Sequence, residues 1–138
     1  MIRLLNYDDK DRYLSLLATF RKVNITMTDL EFRNIYDKIN INSKIFIVVI
    51  DDVIVGSATV LFEQKFINNN ALYAHIEDVV ILPKARGNGV CKNLINYIVE
   101  ICKDYGVKKI VLNCDERLEQ LYGKCNFTKN GTSMNIVI

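Results

Sequence analysis

Only one histidine, His75, and no Cys-x-x-Cys pair occur in this sequence, so it lacks the ligand set of a zinc site. The four cysteines, at 91, 102, 114 and 125, show no disulfide pattern. Cys91 and Cys102 fall on one face of a helix but roughly 16 Å apart along its axis, too far to bridge. Reduced and mostly buried thiols are the expectation. No apolar run reaches the length of a membrane span, and no apolar segment with a small-residue cleavage site follows Met1-Ile2-Arg3. A soluble, cytoplasmic protein is expected. The formal net charge is only +2, which gives no strong field for nucleic acid or for a membrane surface. There is no internal repeat. The single proline, against many Ile, Asn and Lys residues, carries no functional signal.

What is present suits one folded domain, residues 1–138, with half its residues hydrophobic and a quarter charged. The organising stretch runs from Leu72 to Tyr105. Ile76, Val79, Val80 and Ile81 predict a strand over Leu72–Leu82. Apolar residues at Val90/Cys91, Leu94/Ile95, Ile98 and Ile101/Cys102 repeat at the helical period, and Gly106 suits a left-handed cap. Between them lies a turn with Pro83, Arg86, Gly87 and Gly89. A glycine turn feeding a helix start points several amides and the positive end of the helix dipole at one place, as a phosphate or pyrophosphate requires. The same glycines could serve the turn alone. The turn is not a P-loop, because no Gly-Lys-Ser/Thr follows, and it lacks the dinucleotide GxGxxG spacing.

The remaining elements follow from period and punctuation. Ile2–Leu5 suits a first strand. Asp8 is expected to cap a helix supported by Asp11, with Tyr13, Leu16, Leu17 and Phe20 inward and Arg21-Lys22 at its C-terminus. Thr28-x-x-Glu31 is a capping box opening a second helix, with Leu30, Ile35 and Ile39 expected inward. Ile45–Ile50 and Val53–Phe66 read as strands about an Asp51-Asp52 turn, Gly56 marking a bulge, and Asn68–Asn70 as a polar loop. Lys108–Cys114 reads as a strand, Asp115–Lys124 as a short helix and Thr132–Ile138 as a closing strand. The expected architecture is α/β, a mixed sheet flanked by helices.

Arg86-Gly87-Asn88-Gly89-Val90-Cys91 resembles the Arg/Gln-x-x-Gly-x-Gly/Ala signature of the GNAT acetyltransferases, with Cys91 in the last, small-residue place. His75-Ile76-Glu77-Asp78-Val79, Cys114-Asp115-Glu116 and Leu121–Phe127 resemble, in order and spacing, blocks of the eukaryotic glucosamine 6-phosphate N-acetyltransferases. The likeness covers most of the chain and is strongest from Ala74 to Phe127. It implies the GNAT fold, with a mostly antiparallel sheet splayed between the fourth and fifth strands. It implies acetyl-CoA as cosubstrate, with no metal. The donor would be held by Val79, Val80, Ile81 and by Arg86, Gly87, Asn88, Gly89, Val90, Cys91 and Lys92. It implies a small amine as acceptor and a homodimer sharing the acceptor site.

Within that resemblance, Tyr122 matches the tyrosine beside the CoA sulfur, suited to protonate the leaving thiolate, and Phe127 is expected in the core. Glu77 and Asp78 match acceptor contacts. In a regular strand one of them would face away, unless a bulge brings both round. His75 alternates away from Asp78 and is read as structural. Three positions depart from the pattern. Asn113 replaces an acid credited with orienting or deprotonating the amine, and an amide cannot take a proton. Leu118 replaces an asparagine near CoA. Val137 replaces an arginine for the sugar phosphate, a role open to Arg21 and Lys22. Two classes stay open: an N-acetyltransferase for glucosamine 6-phosphate or another amine, and an acyl-CoA-binding domain without catalysis.

Overall fold

A computed structural model describes residues 1–138. Five strands form one sheet in the order β1-β2-β3-β4-β5: β1 Ile2–Leu4, β2 Ser43–Ile50, β3 Val53–Gln64, β4 Leu72–Ile81 and β5 Val107–Leu112. The first four are antiparallel neighbours, and β4 runs parallel to β5. Helices α1 (Lys10–Ala18) and α2 (Asp29–Ile39) precede β2. Helix α3 (Val90–Asp104) makes the crossover from β4 to β5, and α4 (Glu119–Gly123) follows β5. A parallel pair needs such a crossover, because a tight turn cannot reverse twice.

The continuous apolar run of β2 is explained by burial on both faces. Phe46 and Val48 join the core under α3, with Val60, Ala74, Ile76, Leu94, Ile95 and Ile98. Ile45 and Ile47 join the core under α1 and α2, with Tyr13, Leu14, Leu16 and Phe32. The β2–β3 turn is made by Asp51 and Asp52, both left-handed (φ 48° and 62°), a turn whose twist matches a hairpin. A bulge follows at once, since Val48 faces Gly56 and Val49 faces Ile54. A Cβ on Gly56 would sit 3.0 Å from Ile81 Cδ1 and 3.4 Å from Val90 Cγ1. Glycine there lets β3 approach the end of β4 and the start of α3.

The capping box of α2 forms as expected, with Thr28 accepting from Glu31 N–H and Glu31 accepting from Thr28 N–H. Its inward face differs. Phe32 is buried, with Tyr36 and Ile39 packed beside it, whereas Leu30 and Ile35 are exposed. The spacing 32, 36, 39 is itself helical, and the aromatic residues take the buried stripe. Asp8 does not cap α1: a 3-10 turn, Tyr7–Asp9, leads into the helix and is capped by Asn6, whose side chain accepts from Asp8 N–H while Asp9 closes a reciprocal box, and α1 itself starts after Asp9 with no side-chain cap. The Asp9 carboxylate is wholly buried and accepts from Arg3 and Arg12 at 2.7–2.9 Å. The Arg3 hydrogen bonds hold its pKa below the ordinary carboxylate value despite burial. A buried charge so paired is costly to break.

Three further differences appear. Helix α1 ends at Ala18, so Arg21 and Lys22 lie past it and exposed. Residues 68–70 form a left-handed turn of three asparagines, φ 55–57°, a conformation asparagine tolerates. No strand forms over Thr132–Ile138. That segment is exposed throughout and finds no strand partner within the chain. Of the cysteines, Cys102 and Cys125 are buried, Cys91 is half-buried, Cys114 is exposed, and none is in a disulfide. No helix is long and apolar enough to cross a membrane.

Candidate active site

Strands β4 and β5 part company halfway. They pair from Leu72/Val107 to Ile76/Leu112, and β5 then ends. Residues Glu77–Ile81 stay paired with β3 but face no strand on their other edge. Backbone groups on that edge are therefore free for a ligand, and a buried amide left unmatched costs about 1–3 kcal/mol.

A β-bulge sits where the parting begins. Glu77 faces Thr59 and Val80 faces Ser57, so Asp78 and Val79 together oppose Ala58. Asp78 is left-handed, at φ 50°. Side-chain alternation breaks accordingly: Ile76 is buried, Glu77 and Asp78 are both exposed, and Val80 is buried again. Both carboxylates thus face solvent. The Asp78 charge reaches the buried Tyr13 phenol, whose pKa is raised chiefly by burial and further by Asp78. Sequence reasoning read Tyr13 only as core. Its nearness to Asp78 depends on the bulge, which no local residue pattern announces.

Beyond β4, Pro83–Ala85 form a 3-10 turn, and Gly87 and Gly89 are left-handed at φ 82° and 76°. Backbone hydrogen bonding stops at Arg86 N–H to Pro83 and resumes at Asn93 N–H to Gly89. The amides from Gly87 to Lys92 lie in that gap, at the positive end of a 15-residue helix. A Cβ on either glycine would meet nothing within 4 Å, so the space above the turn is open. Arg86 Nε donates to the Ile81 carbonyl at 3.2 Å and ties the turn to β4. Lys84, Arg86 and Lys92 add exposed positive charge. The residues present suit a diphosphate.

Tyr122, on α4, is 6 % exposed and belongs to the core under α3. Cys91, in the first turn of α3, is half-buried against the same core. Burial raises both groups, the thiol to about 11 and the phenol well above its usual value. The phenol therefore keeps its proton at neutral pH. Phe127 packs edge-on to the Tyr122 ring at 6.2 Å. Asn113 is exposed just past β5, and Leu118 lies in the following 3-10 turn, where Asp115 caps Arg117 N–H. Val80 is buried in the core under α1 and α2, so only its backbone is available to a ligand. His75 pairs with Glu63 at 3.0 Å. Arg21 lays its guanidinium over the Phe20 ring. No contact joins Arg21 or Lys22 to Glu77 or Asp78, and Val137 lies in the exposed tail. No cluster of His, Cys, Asp and Glu could hold a metal ion.

The sequence model described as the acetyltransferase (GNAT) family matches residues 12–127. The glucosamine 6-phosphate N-acetyltransferase of Trypanosoma brucei brucei is 31% identical over 138 residues, covering 98% of this chain and 93% of that protein. A probable glucosamine 6-phosphate N-acetyltransferase 2 of Oryza sativa subsp. japonica is 35% identical over 83 residues, 60% of this chain, and the match spans half of the rice protein. The crystal structure of glucosamine-6-phosphate N-acetyltransferase from Arabidopsis thaliana superposes with a TM-score of 0.91, at 27% identity, over 99% of this chain and 97% of that one.

The bulge separates two roles of Asp78, backbone and charge. Asp78→Asn keeps a residue that tolerates the left-handed region and should melt within about 1 °C of the parent. Asp78→Val puts a β-branched side chain at φ 50°. It should cost about 1–2 kcal/mol, lowering Tm by roughly 3–6 °C. Equal melting of the two variants would contradict the strained bulge.

Proposed function

The chain belongs to the GNAT acetyltransferase family, and we propose that it transfers the acetyl group of acetyl-CoA to the amine of glucosamine 6-phosphate. The observation that carries this is the continuous run from the unpaired edge of Glu77–Ile81 into the amide-lined turn Gly87–Lys92. One end suits a thioester carbonyl and an extended amide-bearing arm. The other suits a diphosphate. Acetyl-CoA carries these groups in that order, and relatives of matching length are named for glucosamine 6-phosphate.

The chemistry assigns each residue a task. The sugar nitrogen attacks the thioester carbon, the carbonyl pair moves to oxygen, and the C–S bond then breaks with its pair on sulfur. A free amide of Val79 or its neighbours holds the oxygen as it becomes anionic. Such a donor is worth about 3–4 kcal/mol. Tyr122, protonated throughout the neutral range, gives a proton or a hydrogen bond to the departing thiolate. Glu77 and Asp78 receive the sugar hydroxyls and amine on the solvent side of the bulge. Asn113 orients the amine by hydrogen bonding, and water carries its proton away. That suffices because a sugar amine is more acidic than a lysine, whose reference pKa is about 10.4. Arg21 and Lys22 are the cations offered to the phosphate.

We also propose that the protein is a cytoplasmic homodimer with the acceptor site shared between subunits. Four cysteines without a disulfide fit a reducing compartment. Met134, Ile136, Val137 and Ile138 are 82–109% exposed with no strand partner in the chain, as a segment that pairs with a second copy would be. Its mass in solution at micromolar concentration should be about twice the 15.9 kDa of the chain, and a monomer mass would remove this part.

The activity is tested by CoA-thiol release from acetyl-CoA with glucosamine 6-phosphate and glucosamine side by side. A charged phosphate contact contributes about 1.5–3 kcal/mol, so kcat/KM should favour the phosphorylated sugar by roughly 10- to 150-fold. Equal rates would mean that Val137 marks a changed acceptor. No release with either sugar would overturn the proposal.

A further inference from the structure

Of the asparagines, only Asn88 and Asn130 precede a glycine. An asparagine side chain can be attacked by the backbone nitrogen of the next residue, closing a five-membered ring. A side chain on that next residue hinders the closure, and glycine has none. Both asparagines are exposed, and Gly89 and Gly131 are left-handed, at φ 76° and 78°. Asn88 is the one placed in the diphosphate turn. Its amide makes one long contact, Nδ2 to the Ala85 carbonyl at 3.5 Å, at the limit of a hydrogen bond. The Gly89 N–H donates to no group in the chain, and a Cβ on Gly89 would meet nothing within 4 Å. Nothing therefore holds the attacking nitrogen or shields the side chain. The exposed cations Lys84, Arg86 and Lys92 belong to the same turn, and positive charge favours the amide anion that attacks.

We propose that Asn88 is a modification site, deamidated while the turn is empty, and that the carboxylate formed there excludes the diphosphate of CoA. The Gly89 nitrogen bonds to Asn88 Cγ, the Cγ–Nδ2 bond breaks, and Nδ2 leaves with the amide proton as ammonia. Water then opens the succinimide ring at either carbonyl, giving aspartate or isoaspartate. The step consumes water and releases ammonia, and either product carries a carboxylate that Asn88 lacked. An anion beside the free amides of a helix start is stabilised there, so the modified turn satisfies itself and repels a diphosphate. Bound CoA acts in the opposite sense: its phosphates take up the Gly89 amide and slow the attack. The inference rests on the reading of Gly87–Lys92 as the turn that holds CoA.

The test titrates fresh protein with CoA by calorimetry, then ages it in mildly alkaline buffer, both empty and with CoA at about ten times the measured Kd. Trypsin separates the two asparagines, since cleavage after Arg86, Lys92 and Lys129 yields Gly87–Lys92 and Asn130–Ile138. Mass spectrometry then reads the conversion of each. Asn88 should convert in the empty protein, and CoA should slow it about ten-fold, because about a tenth of the turns stay empty. Asn130, outside the turn, should convert equally in both samples. The CoA affinity of the protein aged empty should fall in step with conversion at Asn88. Asn88→Asp should weaken CoA binding by roughly ten-fold or more while melting like the parent, and Asn130→Asp should bind CoA as the parent does. Asn88 left intact in the aged empty protein would overturn the proposal. So would equal conversion of Asn88 with and without CoA, or parental affinity in both the aged protein and Asn88→Asp. No binding of CoA by fresh protein would instead remove the reading of the turn, and this inference with it.

Discussion

The parting of β4 from β5 is the constraint on which the site depends. A strand inside a sheet normally spends both edges on neighbours. Here β4 keeps β3 along its length but loses β5 after Ile76. The bulge at Asp78 breaks the register just there, and β5 stops at Leu112. A row of backbone groups is then committed to no strand on that side. The protein bears this cost because the opposite edge and both faces hold β4 firmly. Ile76 is buried in the core under α3 and Val80 in the core under α1 and α2.

The turn that follows is held by the same packing. Gly56 lets β3 come within contact of Ile81 and Val90, the last residue of β4 and the first of α3. Arg86 fastens the turn back to Ile81. The helix behind it buries Val90, Leu94, Ile95, Ile98 and Cys102, so its N-terminus and dipole cannot drift. Binding geometry therefore comes from core residues that need never touch a ligand, and preorganised amides avoid reorganisation when charge develops.

Much of this was legible in the residues. The period of Val90–Cys102, the glycines at 87, 89 and 106 and the capping box at Thr28 each have a local cause, and each took its expected form. The splay accompanied the family resemblance, not any local pattern. Failures came where tertiary context decides. Leu30 and Ile35 have the spacing of an inward stripe, but Phe32 and Tyr36 bury more surface and took the inner face of α2. Thr132–Ile138 has the composition of a strand, but a strand needs a neighbour, and the chain offers it none. The Asp78 bulge and its proximity to Tyr13 join residues far apart in sequence. No spacing rule reaches them.

Amide hydrogen exchange with and without CoA tests the central claim most directly, because it reads the backbone groups themselves. The account predicts slowed exchange on CoA binding in two segments, Glu77–Ile81 and Gly87–Lys92, with little change across β1 and β2. Binding that left both segments unprotected would contradict it.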